Sequence, residues 1–186
     1  MIEIRTIDHI KPEDLRRLNA GYISSAKYAA RKIETPQQTN ISLDLINLDQ
    51  PYIKRWETDD EEIARAQRVV ALGLSLGAYD GEQIVGIALA EPRQWNRSLW
   101  VWEFHVSETH HRMGIGRQLM QELVQMARSA GLRVLVCETQ NTNVPAISFY
   151  QATGFEIDGI DLSYYTNDDL ERGEVAIFMK KKIDRG

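Results

Sequence analysis

Two closely spaced glycines, Gly114 and Gly116, lie between an apolar stretch that ends near Val106 and a run with helical periodicity. Because glycine has no Cβ atom, a ligand can approach the backbone closely at such a turn. The N-terminus of the following helix directs unpaired N–H groups and a partial positive charge into the same space. Arg112 and Arg117 add full positive charges beside it. The segment therefore predicts an anion-binding site, and we expect the anion to be a pyrophosphate.

The spacing of this turn disfavours two common nucleotide sites. A P-loop requires Lys and then Ser or Thr directly after its last glycine, whereas Gly116 is followed by Arg117 and Gln118. A dinucleotide fingerprint has three glycines early in a βαβ unit, whereas this turn has two and lies past the middle of the chain. Taken alone, the two glycines also fit an ordinary connection between a strand and a helix.

A second motif follows downstream of the turn. Its members are Asn143, Ala146, Phe149, Tyr150, Gly154 and Phe155. In this order and at this distance, the two motifs resemble the GNAT (Gcn5-related) N-acetyltransferase family, whose members bind the pyrophosphate of acetyl-CoA at an Arg/Gln-x-x-Gly-x-Gly/Ala turn. The resemblance extends over residues 72–182. One departure is His111, which stands where the family usually has Arg or Gln, and it predicts a small shift in cofactor affinity.

The resemblance implies an α/β (α+β) fold and an acyltransferase activity with acetyl-CoA as cosubstrate. The expected sheet is mixed and mostly antiparallel, with about seven strands, a splayed pair of parallel strands and flanking helices. The residues expected to bind acetyl-CoA are Phe104, His105, Val106, His111, Arg112, Met113, Gly114, Ile115, Gly116, Arg117, Asn143, Ala146 and Phe149.

Direct acetyl transfer to an amine in a ternary complex requires a base. A lysine-like amine with a pKa near 10.4 is protonated at neutral pH, and its deprotonation there costs about 4 kcal/mol. Glu103, on the strand that leads into the turn, is the predicted base, acting directly or through water. Glu138, on a neighbouring predicted strand, is the competing candidate. Glu103 also fits a group that anchors the acceptor, or a simple surface acid.

Two further catalytic contributions are implied by the resemblance. A backbone N–H near His105 or Val106 is expected to polarise the thioester carbonyl. Tyr150 matches the family tyrosine whose hydroxyl protonates or stabilises the leaving thiolate. An aromatic residue in a helix is usually a packing residue, but the coincidence of Tyr150 with Asn143 and Ala146 favours the catalytic role.

A narrower likeness concerns the acetyl acceptor. The strings at 138–143, 161–167 and 174–178 resemble the streptothricin acetyltransferase branch, whose members acetylate a primary amine of a β-lysine side chain in an aminoglycoside-like antibiotic. This likeness predicts a role in antibiotic resistance. The residues expected at the acceptor are Glu138, Asp161 and Tyr165. A protein or peptide acetyltransferase and a non-catalytic acetyl-CoA sensor remain alternatives, and a homodimer is possible.

Composition narrows the classes of partner. A net charge of −5 over 186 residues disfavours nucleic acid and attracts cationic small molecules or basic peptides, although it also simply favours solubility. The sequence has neither an apolar run long enough for a membrane span nor the apolar core of a signal peptide, so a cytoplasmic protein is expected. We expect one domain over residues 1–186. Cys137 is predicted to be a core residue, and the four histidines lack ligand spacing, so no metal is expected.

Hydrophobic periodicity predicts the elements that position these residues. The first strand covers 1–6, a helix from Pro12 carries Leu15, Leu18 and Ile23, and a capping box at 58–61 opens a helix with Ile63, Ala66, Gln67 and Val70. The remaining elements are antiparallel strands at 73–79, 83–91 and 98–106 with an Asp80-Gly81 turn, a helix from Ile115 that ends at Gly131, a parallel strand at 132–138, a helix at 143–152 and a hairpin of 155–165 and 173–181. Residues 26–58 are the least interpretable, and we expect them to shape the acceptor pocket.

Overall fold

The computed structural model describes residues 1–183, which alternate between strands and helices. The strands are β1 (Ile2–Thr6), β2 (Tyr22–Thr35), β3 (Gln38–Lys54), β4 (Leu76–Asp80), β5 (Gln83–Arg93), β6 (Ser98–Val106), β7 (Val134–Gln140), β8 (Glu156–Asp161) and β9 (Ala176–Lys182). The helices are α1 (Pro12–Leu18), α2 (Asp60–Val70), α3 (Ile115–Ser129), α4 (Val144–Ala152) and α5 (Asp169–Arg172). None of the helices within residues 1–183 combines the length and the apolar character that crossing a lipid bilayer requires.

Seven of the strands form a mixed sheet, as predicted, and β2 and β3 form a separate two-stranded sheet. The chain divides into two compact units. Among the described residues, the first unit contains Met1–Ala20, Trp56–Cys137 and residues 181–183, and the second contains Gly21–Arg55 and Glu138–Lys180.

In the first unit the strand order is β1-β4-β5-β6-β7. The first four strands pair antiparallel, and β6 pairs parallel with β7, which confirms the predicted parallel pair. That parallel ladder runs from Ser98↔Val134 to Val101↔Cys137, whereas β6 itself continues to Val106. The last five residues of β6 therefore extend beyond the ladder and lead directly into the glycine turn.

The capping box of α2 is shifted by one residue from the predicted position. Asp59, not Thr58, is the N-cap, and its Oδ1 accepts a hydrogen bond from the backbone N–H of Glu62 at 2.8 Å. Oε2 of Glu62 accepts in return from the backbone N–H of Asp59 at 3.2 Å. The hydroxyl of Thr58 instead accepts a hydrogen bond from Asn19, so this threonine is engaged away from the helix. The acidic residues at this end of α2 thus stabilise the helix itself.

Both long helices bury one apolar face, as their periodicity predicts. Helix α2 buries Ile63, Ala66, Val69 and Val70, whereas Gln67, which was predicted on the same face, is exposed. Helix α3 buries Ile115, Leu119, Met120, Leu123 and Ala127, whereas Met126 is only half-buried. Each fully buried aliphatic side chain contributes about 1.5–3 kcal/mol relative to exposure, so these faces fix both helices on the sheet.

The second unit contains the segment that sequence patterns could not interpret. Residues 22–54 form a hairpin of two long strands, 14 and 17 residues, joined by a tight turn. Ile23 lies on β2 and not on the first helix, because α1 already ends at Leu18. Pro51 is tolerated within β3 because a two-stranded sheet consists of edge strands, whose outer side needs no N–H donor.

The C-terminal elements follow the predicted order with shorter strands. Strands β8 and β9 pair antiparallel over residues 156–161 and 176–180. The acidic loop between them contains α5, and Asp169 is buried at its start. Its carboxylate accepts hydrogen bonds from the backbone N–H groups of Tyr165 and Thr166, both at 2.8 Å. Burial opposes ionisation of Asp169, but these hydrogen bonds outweigh it and hold the pKa of Asp169 below its usual range.

Candidate functional site

The glycine turn of the first unit opens directly onto helix α3. Gly114 is the N-cap residue and has a φ of 82°, a left-handed conformation that favours glycine. A Cβ atom at Gly114 would meet no atom of the described chain within 4 Å, so the space in front of the helix is open. Among residues 1–183, no side chain caps this helix, whereas α2 has a complete capping box. The turn is therefore suited to an external anion that satisfies the first N–H groups of α3.

Three side chains of the turn have different roles. Arg112 has a φ of 63°, and both Arg112 and Arg117 are exposed beside the helix N-terminus, where they add positive charge. The imidazole of His111 donates from Nε2 to the carbonyl oxygen of Val106 at 2.8 Å. His111 therefore ties the turn to the end of β6. His111, which stands where the family usually has Arg or Gln, therefore has a structural role in this turn.

On β6, Glu103 and His105 lie on the same face of the strand and contact each other. Oε2 of Glu103 lies 2.8 Å from Nε2 of His105, and the other carboxylate oxygen accepts from Nη2 of Arg65 at 3.3 Å. The edge of the Trp56 ring faces the imidazole, with 6.3 Å between ring centroids. The sequence predicted Glu103 as the base and named no partner for it. The structure instead gives it a histidine and an arginine as partners.

In the second unit, the downstream motif organises helix α4. Asn143 is the N-cap residue, and its Oδ1 accepts a hydrogen bond from the backbone N–H of Ala146 at 3.2 Å. Tyr150 is buried, and its ring packs against those of Phe149 and Phe155, with centroid distances of 5.6 and 5.5 Å. The two neighbouring rings therefore hold the ring of Tyr150 in position.

Two of the three residues predicted at the acceptor lie together. The hydroxyl of Tyr165 donates a hydrogen bond to Oε1 of Glu138. Burial, together with the neighbouring carboxylate, raises the pKa of Tyr165, so this phenol remains a neutral donor. The third residue, Asp161, accepts from the backbone N–H of Ser163 at 2.9 Å and so holds the turn after β8.

Sequence reasoning missed a polar cluster on the β2–β3 hairpin. Oε2 of Glu174 accepts a hydrogen bond from the Tyr52 hydroxyl at 2.5 Å, and Oε1 accepts from Nζ of Lys54 at 2.6 Å. Tyr22 stacks on Tyr52, with 6.1 Å between ring centroids. Tyr22 also shares a hydrogen bond of 2.6 Å with Thr142. Tyr52 and Lys54 are two residues apart on β3, so their side chains lie on the same face of the strand. This spacing was the signal in the sequence that could have placed them together.

Burial shapes the protonation of this cluster. It raises the pKa of Tyr52 to about 12, and the Glu174 carboxylate adds to the shift. Burial likewise raises the pKa of Tyr22. The phenols therefore stay neutral, and negative charge is confined to the carboxylates.

The sequence profile described as the acetyltransferase (GNAT) family matches residues 42–155. The chain belongs to this family. GNAT enzymes take their acetyl group from acetyl-CoA, so the chain is an acetyl-CoA-dependent N-acetyltransferase. The open, uncapped start of α3 fits the pyrophosphate of that cosubstrate. Within residues 1–183, no three His, Cys, Asp or Glu side chains gather where they could hold a metal ion.

Two of the similar proteins are streptothricin acetyltransferases. The chain is 32% identical to the streptothricin acetyltransferase of Streptomyces lavendulae over 70% of each chain. It is 26% identical to streptothricin acetyltransferase A of Bacillus subtilis, over 72% of this chain and 75% of the relative. These similarities confirm the branch that the C-terminal strings of the sequence resemble.

Among solved structures, the nourseothricin acetyltransferase is similar over 98% of this chain and 99% of its own, with 27% identity and a TM-score of 0.74. A structure described as a streptothricin acetyltransferase from Bacillus anthracis, in complex with acetyl coenzyme A, covers 99% and 98%. It has 22% identity and a TM-score of 0.73, and it supports the GNAT fold alone.

Proposed function

We propose that this GNAT enzyme transfers an acetyl group from acetyl-CoA to a primary amine of a small cationic acceptor of the streptothricin type. The transfer is direct, within a ternary complex, and its product is an acetylated antibiotic. The observation that carries this proposal is the hydrogen-bonded pair of Glu138 and Tyr165, two of the three residues that the likeness to streptothricin acetyltransferases assigns to the acceptor. The chain's 32% identity to a streptothricin acetyltransferase supports the same class of acceptor.

The glycine turn holds the cosubstrate in this proposal. Backbone N–H groups from Gly114 to Arg117 bind the pyrophosphate, and Arg112 and Arg117 add charge that favours it. Bound acetyl-CoA supplies the thioester. A backbone N–H near His105 or Val106 donates to the thioester oxygen as negative charge develops there.

Release of the thiolate requires a proton, and Tyr150 is the proposed donor. Its ring is held between Phe149 and Phe155, so little rotational freedom is lost when the hydroxyl is used. Asn143 and Ala146 contribute indirectly, since the cap that they form fixes the start of the helix that carries Tyr150.

Charge and hydrogen bonding select the acceptor. Glu138 carries a negative charge, while the phenol of Tyr165 fixes one of its oxygens. A protonated amine or guanidinium that meets this pair gains a charge-assisted hydrogen bond, worth about 1.5–3 kcal/mol. Neutral or anionic acceptors gain nothing equivalent, and the net charge of −5 attracts cations at longer range.

Free-thiol release from acetyl-CoA tests the proposal, with streptothricin, lysine, a polyamine and a basic peptide as acceptors. Release confined to streptothricin supports it. Release with another small amine supports acetyl transfer to an amine but contradicts the proposed streptothricin-type acceptor. Release with the peptide alone favours a protein acetyltransferase, and acetyl-CoA binding without release to any amine favours a sensor.

We also propose that two copies associate through the β2–β3 hairpin. Alternate residues of β3 place Ile41, Leu43 and Leu45 on one face, and the side chains of Ile41 and Leu45 are 39% and 56% exposed. A two-fold axis brings the hairpins of two copies together, so that the faces that carry Ile41, Leu43 and Leu45 meet.

A further inference from the structure

The contact between Glu103 and His105 fixes the protonation pattern of the imidazole. Oε2 of Glu103 lies 2.8 Å from Nε2 of His105, and a carboxylate can only accept a hydrogen bond. Nε2 therefore carries the hydrogen in the neutral ring. The lone pair must then reside on Nδ1, and Nδ1 is the basic nitrogen.

Glu103 is poorly placed to act as the base itself. One carboxylate oxygen is engaged by His105 and the other by Arg65, so both oxygens already accept hydrogen bonds from charged or polar donors. An ordinary carboxylic acid also has a pKa of about 4.3, far below that of an alkyl ammonium at about 10.4. An ordinary imidazole, at about 6.5, is a better-matched proton acceptor near neutral pH.

The surroundings strengthen the pairing. On β5, the residues directly across from His105 and Glu103 are Ile87 and Leu89, which are both fully buried. The side chains of His105 and Glu103 are themselves only 15% and 16% exposed. Arg65 of α2 is the charged group that faces them from outside β6, and Trp56 lies against the imidazole without a charge. An apolar setting of this kind makes a hydrogen bond between the pair stronger than it would be in water.

We propose that His105 is the general base of acetyl transfer and that Glu103 is its positioning residue. This inference rests on the proposed function, since it needs an amine acceptor. Nδ1 removes one proton from the acceptor ammonium, and the Glu103 carboxylate stabilises the resulting imidazolium. The amine nitrogen attacks the thioester carbonyl, a C–N bond forms and the C–S bond breaks. The second amine proton passes to water as the amide forms. Tyr150 protonates the thiolate and regains a proton from water, and the imidazolium returns its proton to water, so one proton is released overall.

If His105 is the base, His105→Gln should lose more activity than Glu103→Gln. If Glu103 were the base, the order would be reversed. His105→Gln removes the base, and we expect kcat to fall about 100-fold or more. Glu103→Gln keeps the histidine but removes the carboxylate that stabilises its imidazolium, so its loss of kcat is smaller, about tenfold. Both variants should keep the acetyl-CoA Kd of the wild type within about twofold, since neither removes a backbone donor.

The pH profile separates a base from a structural residue. In the wild type, kcat rises through one ionisation and then levels, whereas in His105→Gln it continues to rise towards the pKa of the amine. Activity of His105→Ala should be restored by added imidazole, which a merely structural histidine would not show. His9→Gln, at an exposed histidine outside this group, is the matched control and should leave the profile unchanged.

Two results would overturn the inference. One is a His105→Gln enzyme that keeps the wild-type plateau of kcat. The other is a Glu103→Gln enzyme that loses more activity than His105→Gln, which would make Glu103 the base. Failure of the proposed function is separate and visible in the wild type, because no amine would then release thiol from acetyl-CoA.

Discussion

Tyr165 and Glu138 are 27 residues apart in the sequence, and the tyrosine hydroxyl donates a hydrogen bond to the glutamate carboxylate. The pair lies within the second unit, near Glu174, whose charge also raises the pKa of Tyr165. Because the phenol holds one oxygen of the Glu138 carboxylate, the position of the other oxygen is also defined. This arrangement suits recognition of an ammonium group better than a mobile surface glutamate would.

Tyr165→Phe should therefore weaken binding of the acceptor. Without this hydrogen bond the Glu138 carboxylate is less well positioned for the ammonium group, so the acceptor KM should rise by about threefold or more. The Kd of acetyl-CoA should not change. Steady-state thiol release at varied acceptor concentration measures KM, and Tyr164→Phe is the control because that neighbour packs edge-on against Phe178. An unchanged acceptor KM would remove Tyr165 from the acceptor site.

Gly114→Ala should weaken acetyl-CoA binding. The new Cβ meets no atom of the protein, but it enters the space at the N-terminus of α3 where the pyrophosphate is proposed to bind. An alanine in the left-handed conformation also adds roughly 1 kcal/mol of strain. Gly131→Ala is a matched control at the other end of the same helix, with a φ of 69° and equally open surroundings. We expect both variants to lose similar stability in thermal unfolding. Only Gly114→Ala should raise the acetyl-CoA Kd in calorimetric titration, and equal Kd values would contradict the anion site.

Much of the fold could be predicted because local patterns and packing agree. Strand β6 has its predicted bounds, and the turn at Gly81 and the helix stop at Gly131 are confirmed, because each needs a left-handed glycine that sequence makes visible. The capping box moved to Asp59 because two adjacent residues could serve as the N-cap, and the contact of Thr58 with Asn19 decided between them.

The β2–β3 hairpin and the partners of the site residues could not be predicted. Exposed strands lack a buried face, so Ile33, Ile41 and Ile46 give no clean alternation. Contacts such as Tyr52 with Glu174 join residues 122 positions apart, and one sequence holds no signal for that separation. The pairing of Glu103 with His105 was within reach, since residues two apart on a strand share a face.

Tyr150→Phe should reduce turnover at least about tenfold while acetyl-CoA binding changes little. The ring that packs between Phe149 and Phe155 is preserved, so the fold should persist and only the hydroxyl is lost. Rapid-quench measurement of the chemical step separates this effect from product release. Phe149→Tyr tests whether any phenol on this helix suffices, and we expect no gain from it. Unchanged turnover in Tyr150→Phe would remove this residue from the mechanism.

Leu45→Gln should dissociate a dimer formed through the hairpin. The side chain is 56% exposed on the apolar face of β3, so an isolated subunit should fold with little change in stability. Light scattering during size-exclusion chromatography should report a lower mass for the variant at equal concentration. Leu72→Gln, at another leucine that is 51% exposed, lies in the first unit and should leave the mass unchanged. A monomeric wild type would refute the association.

Tyr52 makes stability depend on alkaline pH. Its pKa is raised to about 12 in the folded protein, against about 10 in an unfolded chain. The unfolded state therefore loses its phenolic proton first, and the stabilisation that is complete below about pH 10 is lost as the pH rises towards about 12. In Tyr52→Phe, urea unfolding should show a lower free energy of unfolding at neutral pH, by about 1 kcal/mol, and a shallower decline above about pH 10. Glu174→Gln should also make the decline shallower, because it removes the carboxylate that adds to the shift, whereas an unchanged slope in both variants would show that Tyr52 does not titrate as its environment requires.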